Sequence, residues 1–297
     1  RRPLVDAEYV LNIDSGGGDG DGDTITAYAM QSAEKVYLDL EIVARGPGGH
    51  SSVPDGETPI DALARALGRL GRYQFPVKLN AVVRAFFEAR APATQGETGR
   101  AMAALVREPN DLAAQNVLVR EKQFNALLRT TCIATMLRAG TAPNAIPQEA
   151  AATVNCRILP GESPDSVIAT LERETADTSL AFRILTPALA SPPSMPTGEI
   201  RTILARALSV VTPGVPIVPY MESGGTDAGY FRNLGIPAYG VSGMFVNEAD
   251  VNRMHGRDER ISVRAFRRMV SYSEGLLAAA GNTPLPLRDS SGGTKPR

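Results

Sequence analysis

The sequence predicts an α/β protein in which a parallel sheet is interrupted by an inserted α+β segment, and three observations carry that prediction. The run KVYLDLEIVAR alternates cleanly, with Val36, Leu38, Leu40, Ile42 and Ala44 on one face and Tyr37, Asp39 and Glu41 on the other. It opens an ordered series strand, helix, strand, strand, helix, strand. Beyond Ser191 short apolar runs alternate with amphipathic helices, the pattern of a parallel layer. At 297 residues the chain has room for about two domains.

The first element is YVLNID, a buried strand that delivers Asp14 at its C-terminal end, where open α/β sheets place ligands. The stretch after it, SGGGDGDGD, lacks the spacing of a phosphate loop and is acidic where phosphate would lie. A calcium loop also fails. Asp19, Asp21 and Asp23 suit its first, third and fifth positions, but Thr24 and Met30 stand where Gly and Glu are required. Taken alone, Asp14 reads first as a turn residue accepting backbone N–H bonds, and the rest of the chain changes that.

In the series that follows, Thr58 caps and Pro59 starts a helix whose Leu63, Leu67 and Leu70 line one side. TTCIATMLRAG and AAATVNCRILPG alternate as strands, Ser163 and Pro164 open a second helix, and SLAFRILTP closes the series. This order predicts a small open sheet with two helices on one face, a ferredoxin-like arrangement. Between its first helix and second strand, roughly 73–122 reads as an insertion of one or two helices. The expected division is 1–32 and 188–281 for the two parts of the sheet domain, 33–187 for the inserted domain, and 282–297 for a disordered tail. Within 188–281 come a linker, SPPSMPT, a helix around Ile200 to Val211, a Gly-rich turn, MESGGTDAGYF, a strand, IPAYGVSG, and a helix from Ser262 to Ala280.

A net charge of −1, with no basic stripe, excludes the electrostatic footprint of a nucleic-acid binder. No apolar stretch approaches the roughly 20 residues that span a bilayer, so no membrane partner is expected. Cys132 and Cys156 each fall in a strand-like run, which predicts buried free thiols rather than a disulfide. Only two histidines occur, His50 and His255.

Taken together, YVLNIDSGGG, ARGPGGHSSVPDGETPIDALARAL, GTAPNAIPQEAAATVNCRILPGES, MESGGTDAGYFRNLGIPAYG and NRMHGRDERISV resemble successive motifs of the clan MH zinc metallopeptidases. These include carboxypeptidase S, aminoacylase, acetylornithine deacetylase and succinyl-diaminopimelate desuccinylase. The resemblance runs from about Tyr9 to Ala280. It implies a hydrolase with two zincs per active site, which releases an amino acid from an N-acyl amino acid or a peptide with a free carboxylate. It also implies a lid domain through which two copies dimerise.

Carried over residue by residue, the resemblance makes Asp14 and His255 metal ligands. His50 matches a lid histidine that reaches into the partner subunit's site and polarises the scissile carbonyl. Asn144 and Arg157 match residues that hold the substrate and its carboxylate, and Gly224 and Gly225 match a turn whose backbone approaches the substrate. Asp227 reads instead as the first-turn acid of a helix capped by Thr226.

The family pattern also contains a His-x-Asp pair and an adjacent Glu-Glu, which bridge the metals, bind them and supply the general base. Neither occurs in this sequence. The expectation is therefore a C-terminal portion of a longer hydrolase, inactive by itself, with any targeting segment in the missing part. The alternative is a non-catalytic dimerisation or substrate-binding remnant.

Overall fold

The computed structural model describes residues 4–21, 24–246, 248–251, 253–254 and 256–282. The expected tail, apart from Asn282, and His255 lie outside these residues. The chain divides into two compact units. The first comprises Arg1–Val10, Ala33–Ser194 and Met221–Ala238, and the second Leu11–Ser32, Met195–Tyr220 and Tyr239–Arg297.

The first unit is built on a four-stranded antiparallel sheet of β4 (Val36–Arg45), β6 (Thr131–Ala139), β8 (Glu149–Ile158) and β9 (Ala181–Thr186), in the order β6-β8-β4-β9. Helices α1 (Pro59–Leu70) and α6 (Pro164–Thr175) pack on one face. The alternation in the sequence does this directly: Val36, Leu38, Leu40 and Ile42 of β4 meet Val154, Cys156 and Ile158 of β8 in a core closed by Leu63, Ala66, Val167 and Leu171. Thr58 and Asp61 form a full capping box at the start of α1. Ser163 precedes α6 without a side-chain cap bond. This is the expected strand and helix order.

Two expectations are corrected here. Cys132 and Cys156 are not free thiols: they face each other in register on β6 and β8, with Cα atoms 4.1 Å apart, and form a disulfide. Reading each as a strand residue was right, but which strands become neighbours is a property of the whole sheet and not of either local pattern. The insertion is also larger than one or two helices. It holds α2 (Ala81–Arg90), α3 (Gly96–Arg107), α4 (Leu112–Leu118) and α5 (Lys122–Leu128), with a 3-10 turn at Ala91–Ala93. Helices α4 and α5 are only seven residues each, about two turns, too short to show a period. Phe87, Met102, Leu105, Leu118 and Leu128 nevertheless give the insertion buried apolar centres of its own.

A second, five-stranded sheet holds β1 (Val10–Asn12), β2 (Gly17–Asp21), β3 (Thr24–Glu34), β10 (Ile217–Glu222) and β11 (Ala238–Gly240), in the order β1-β11-β3-β10 with β2 paired to β3. The bonds Val10 N–H to Pro237 O and Val241 N–H to Asn12 O advance in the same sense along both chains. β1 and β11 therefore run parallel. Tyr28 to Pro216 and Lys35 to Glu222 give the same result for β3 and β10. The junction of β11 with β3 is antiparallel, as is the β2–β3 hairpin, so the sheet is mixed.

Over its described part the glycine-rich opening runs into strand β2, with Gly16, Gly17 and Gly18 packed too closely for side chains. A Cβ at Gly16 would lie 2.5 Å from the Gly240 carbonyl oxygen, and one at Gly18 would lie 2.3 Å from the Phe245 ring. Helices α7 (Gly198–Leu208) and α10 (Val263–Asn282) pack on each other in this unit. At its centre the buried hydroxyls of Tyr28 and Tyr272 lie 2.6 Å apart, and that of Tyr28 donates to Ser242 O. Among the described residues the other helices are α8 (Ala228–Asn233) and the four-residue α9 (Glu248–Val251).

Candidate functional site

Within the first unit the expected site residues fall at three places. The first is a two-stranded ladder of β5 (Gly49–His50) and β7 (Ala145–Ile146), in which His50 faces Ala145 and the Ser51 N–H donates to Asn144 O at 3.1 Å. His50 and Asn144 are therefore brought together, both exposed. Gly48, at φ +71°, permits this departure from β4. A Cβ there would stand 2.7 Å from Gln148 Cγ. The His50 ring is oriented from within its own turn. Its Nδ1 accepts the Ser52 backbone N–H at 3.2 Å and lies 2.7 Å from Ser52 Oγ. A backbone N–H can only donate, so Nδ1 is the acceptor and the neutral ring carries its proton on Nε2. That leaves an exposed N–H for a carbonyl oxygen.

The second place is the far end of β8. Arg157 lies eight positions beyond Glu149, or about 27 Å at ~3.4 Å per residue, so the structure does not bring it to His50 and Asn144. Its guanidinium stacks over the Tyr37 ring, 4.4 Å from the centroid, and its Nε donates to Asn155 Oδ1 at 3.1 Å. Asp39 completes the arrangement by accepting from Asn155 Nδ2 at 2.7 Å and from the Tyr37 hydroxyl at 2.6 Å. That hydrogen bond, with smaller contributions from burial and the Asp39 charge, raises the Tyr37 pKa. Among the described residues no acceptor takes the Arg157 Nη groups, so the fork that clasps carboxylates is open.

The turn carrying Gly224 and Gly225 is held by two carboxylates. Glu222 Oε1 accepts the N–H groups of Ser223 at 2.9 Å and Gly224 at 3.3 Å. Glu34, 8% exposed, accepts from the Thr226 N–H at 2.7 Å and its hydroxyl at 2.8 Å, beside Arg232. Thr226 Oγ1 in turn accepts the Ala228 N–H at the start of α8, while Asp227 makes no side-chain cap bond. Neither Gly224 nor Gly225 has a positive φ, and a Cβ on either would meet nothing closer than 3.8 Å. Their lack of a side chain is not required by the turn itself. It leaves the backbone open to a group from outside.

Two residues that the sequence reading passed over organise this end. Glu34 and Lys35 precede the alternating run of β4, and charged side chains of this kind are ordinarily solvated. Lys35 is instead 1% exposed, and its ammonium donates to Ala126 O at 2.9 Å, Arg129 O at 2.7 Å and Thr131 Oγ1 at 3.3 Å. It satisfies carbonyls at the end of α5 and so fastens the insertion to the sheet. Burial pulls its pKa from 10.5 to about 7, with the Arg157 charge acting in the same direction and Glu162 against it.

The expected metal ligands fare differently. Asp14 stands exposed in the turn two residues past β1, where its backbone N–H donates to Asn12 Oδ1. His255 lies outside the described residues. Among the described residues no group of three His, Cys, Asp or Glu could hold a metal ion, and with two histidines and neither the His-x-Asp nor the Glu-Glu pair in the sequence, the donors present do not fit a two-zinc centre.

Residues 32–181 match the family model described as a peptidase dimerisation domain. The chain is 31% identical over 265 residues to an N-fatty-acyl-amino acid synthase/hydrolase of Xenopus tropicalis, a match covering 87% of this chain and 51% of that protein. It is 29% identical over 252 residues to a probable carboxypeptidase S-like protein of Dictyostelium discoideum, covering 80% and 46%. The chain thus spans about half the length of the curated relatives it matches. Among solved structures, human carnosine dipeptidase 1 superposes with a TM-score of 0.57 at 14% identity, over 89% of this chain and 59% of that one. An M20 family metallo-carboxypeptidase of Sulfolobus solfataricus gives 0.55 at 18%, over 84% and 59%. These two likenesses concern the fold alone. With the dimerisation-domain model matched over half of its length, the chain belongs to the M20 family of metallopeptidases.

Proposed function

We propose that this chain supplies the substrate-recognition and dimerisation part of a zinc-dependent amidohydrolase that releases an amino acid from an N-acyl amino acid. The observation that carries the reading is the open Arg157 fork, stacked on Tyr37 and aimed by Asn155. The fork clasps the free carboxylate of the substrate. His50 Nε2–H donates to the scissile carbonyl oxygen as negative charge develops there, and Asn144 orients the amide. The matched relative from Xenopus tropicalis, named for N-fatty-acyl amino acids, supports an acyl group that is apolar.

The two places separated by about 27 Å along β8 cannot serve one substrate from a single chain. A two-fold partner resolves this, with His50 and Asn144 of one protomer working beside Arg157 of the other. The edge strand β6 suits such pairing: Ile133, Met136 and Leu137 are each 67–68% exposed along it. In this reading 33–187 is the lid and dimerisation domain. Asp14 and His255 are the metal ligands that this chain contributes. The remaining donors and the general base are not among its residues, so the chain alone does not turn over substrate.

The test is recognition rather than rate. An N-acyl amino acid is titrated into the chain beside its methyl ester, which keeps the shape and removes the charge. The ester binds at least tenfold more weakly if Arg157 holds the carboxylate; equal binding of the two overturns the assignment.

A further inference from the structure

We infer that the first unit contains a subsite for the hydrocarbon tail of the acyl group. The inference deepens the proposed function and rests on it. A cavity of about 380 Å³ lies between the start of α2 (Asn80–Val82), the Pro160–Gly161 turn, the strap 190–193 and Ala33, a volume within the range of small-ligand pockets.

Its chemistry selects an apolar occupant. No charged side chain lines it, and its one amide is already engaged: Asn80 Oδ1 accepts the Val83 N–H as the α2 cap, while Nδ2 points to Met221 Sδ at 3.2 Å. A polar ligand would lose its hydration against Ala33, Ala81, Val82 and three prolines with only the Ser191 hydroxyl in return. A hydrocarbon chain loses nothing and gains by leaving water. The cavity is also pre-formed. Pro192 and Pro193 stiffen the strap, and Asn233 Nδ2 pins it through Ala190 O at 2.9 Å.

Part of the lining adjoins, in sequence, Arg157 and the two carboxylates that hold the Gly224–Gly225 turn. Pro160 follows Arg157 by three positions, Ala33 precedes Glu34, and the Asn80 contact Met221 adjoins Glu222. The insertion therefore supplies one wall of the pocket, which the sheet and its two helices would not form alone.

The experiment is calorimetric titration of the full chain with N-acetylglycine, N-dodecanoylglycine and 1-dodecanol, for wild type, Ala81→Phe and Ala190→Phe. Both alanines line the cavity and are exposed, so the phenylalanines fill it without disturbing a core; a thermal melt checks this. The expected result is at least tenfold tighter binding of the dodecanoyl than of the acetyl compound. That gain falls below threefold in both variants, while acetylglycine affinity is unchanged. A gain that survives in both variants, or no gain in wild type, overturns the subsite while leaving N-acyl amino acid recognition standing. If neither acylglycine binds but dodecanol does, in a way lost with Ala81→Phe, the pocket stands and the proposed function falls. If dodecanol also fails to bind, the pocket falls with it.

Discussion

His50 Nδ1 accepts the backbone N–H of Ser52 at 3.2 Å, with the Ser52 hydroxyl 2.7 Å away, and this places the ring proton on the exposed nitrogen. In the neutral range, 15N chemical shifts should report the Nε2–H tautomer for His50. Ser52→Ala removes the shorter of the two contacts and should mix in the other form. A predominant Nδ1–H tautomer in wild type would contradict the donor role.

The disulfide between Cys132 and Cys156 closes a loop with a sequence separation of 24. A loop of that size corresponds to roughly 3 kcal/mol of stabilisation. Reduction, or the double change Cys132→Ser with Cys156→Ser, should lower the urea midpoint accordingly. Thiol alkylation of the unfolded, unreduced chain should find no free cysteine; two reactive thiols per chain would exclude the bond.

Lys35 makes the fastening of the insertion dependent on pH. Its folded-state pKa, about 7, lies below its ordinary 10.5. Between these values the unfolded chain binds more protons than the folded one, so this group's contribution to stability rises with pH across the window, by at most about 1.4 kcal/mol per unit. Lys35→Met removes that slope. It also strips the Ala126 and Arg129 carbonyls of their donor, which should cost on the order of 1–3 kcal/mol. Denaturation curves at pH 7 and pH 10 should show the gap between wild type and mutant widening at the higher pH. A gap that narrows would reverse the sign.

Strand β6 presents Ile133, Met136 and Leu137 to solvent at the edge of the sheet. Wild-type chain should sediment as a dimer, and Leu137→Lys should shift it to monomer by placing a charge in the pairing surface. A wild-type monomer at micromolar concentration would remove the basis for sharing sites between protomers.

The parts of this fold that were legible in sequence are those that rest on local periodicity and capping. The two-residue alternation of 36–44 and the Thr58–Pro59 start are decided within a few residues, and the structure repeats them. The antiparallel junction of β11 with β3 and the disulfide partner depend on which distant segments become neighbours, and the last two helices of the insertion are too short to show a period. The same holds for the site. The family resemblance picked out His50 and Asn144, which the ladder of β5 and β7 then joins. Nothing in the sequence separated them from Arg157 by the length of β8, because that distance is set by how the strands register. Glu34 and Lys35 escaped notice for a related reason. Charged residues next to a strand read as solvated until the helices that bury them are in place.

The most direct test of the account is zinc content together with turnover. Purified chain is equilibrated with zinc, freed of excess and analysed by elemental mass spectrometry, and N-acyl amino acid hydrolysis is then followed on the same sample. The account predicts fewer than two tightly held zincs per chain and no hydrolysis above the zinc-only background, because the donors and the base needed for a bridged pair are not among its residues. Two zincs per chain, with hydrolysis abolished by His255→Ala, would contradict it and show that this chain completes a catalytic centre on its own.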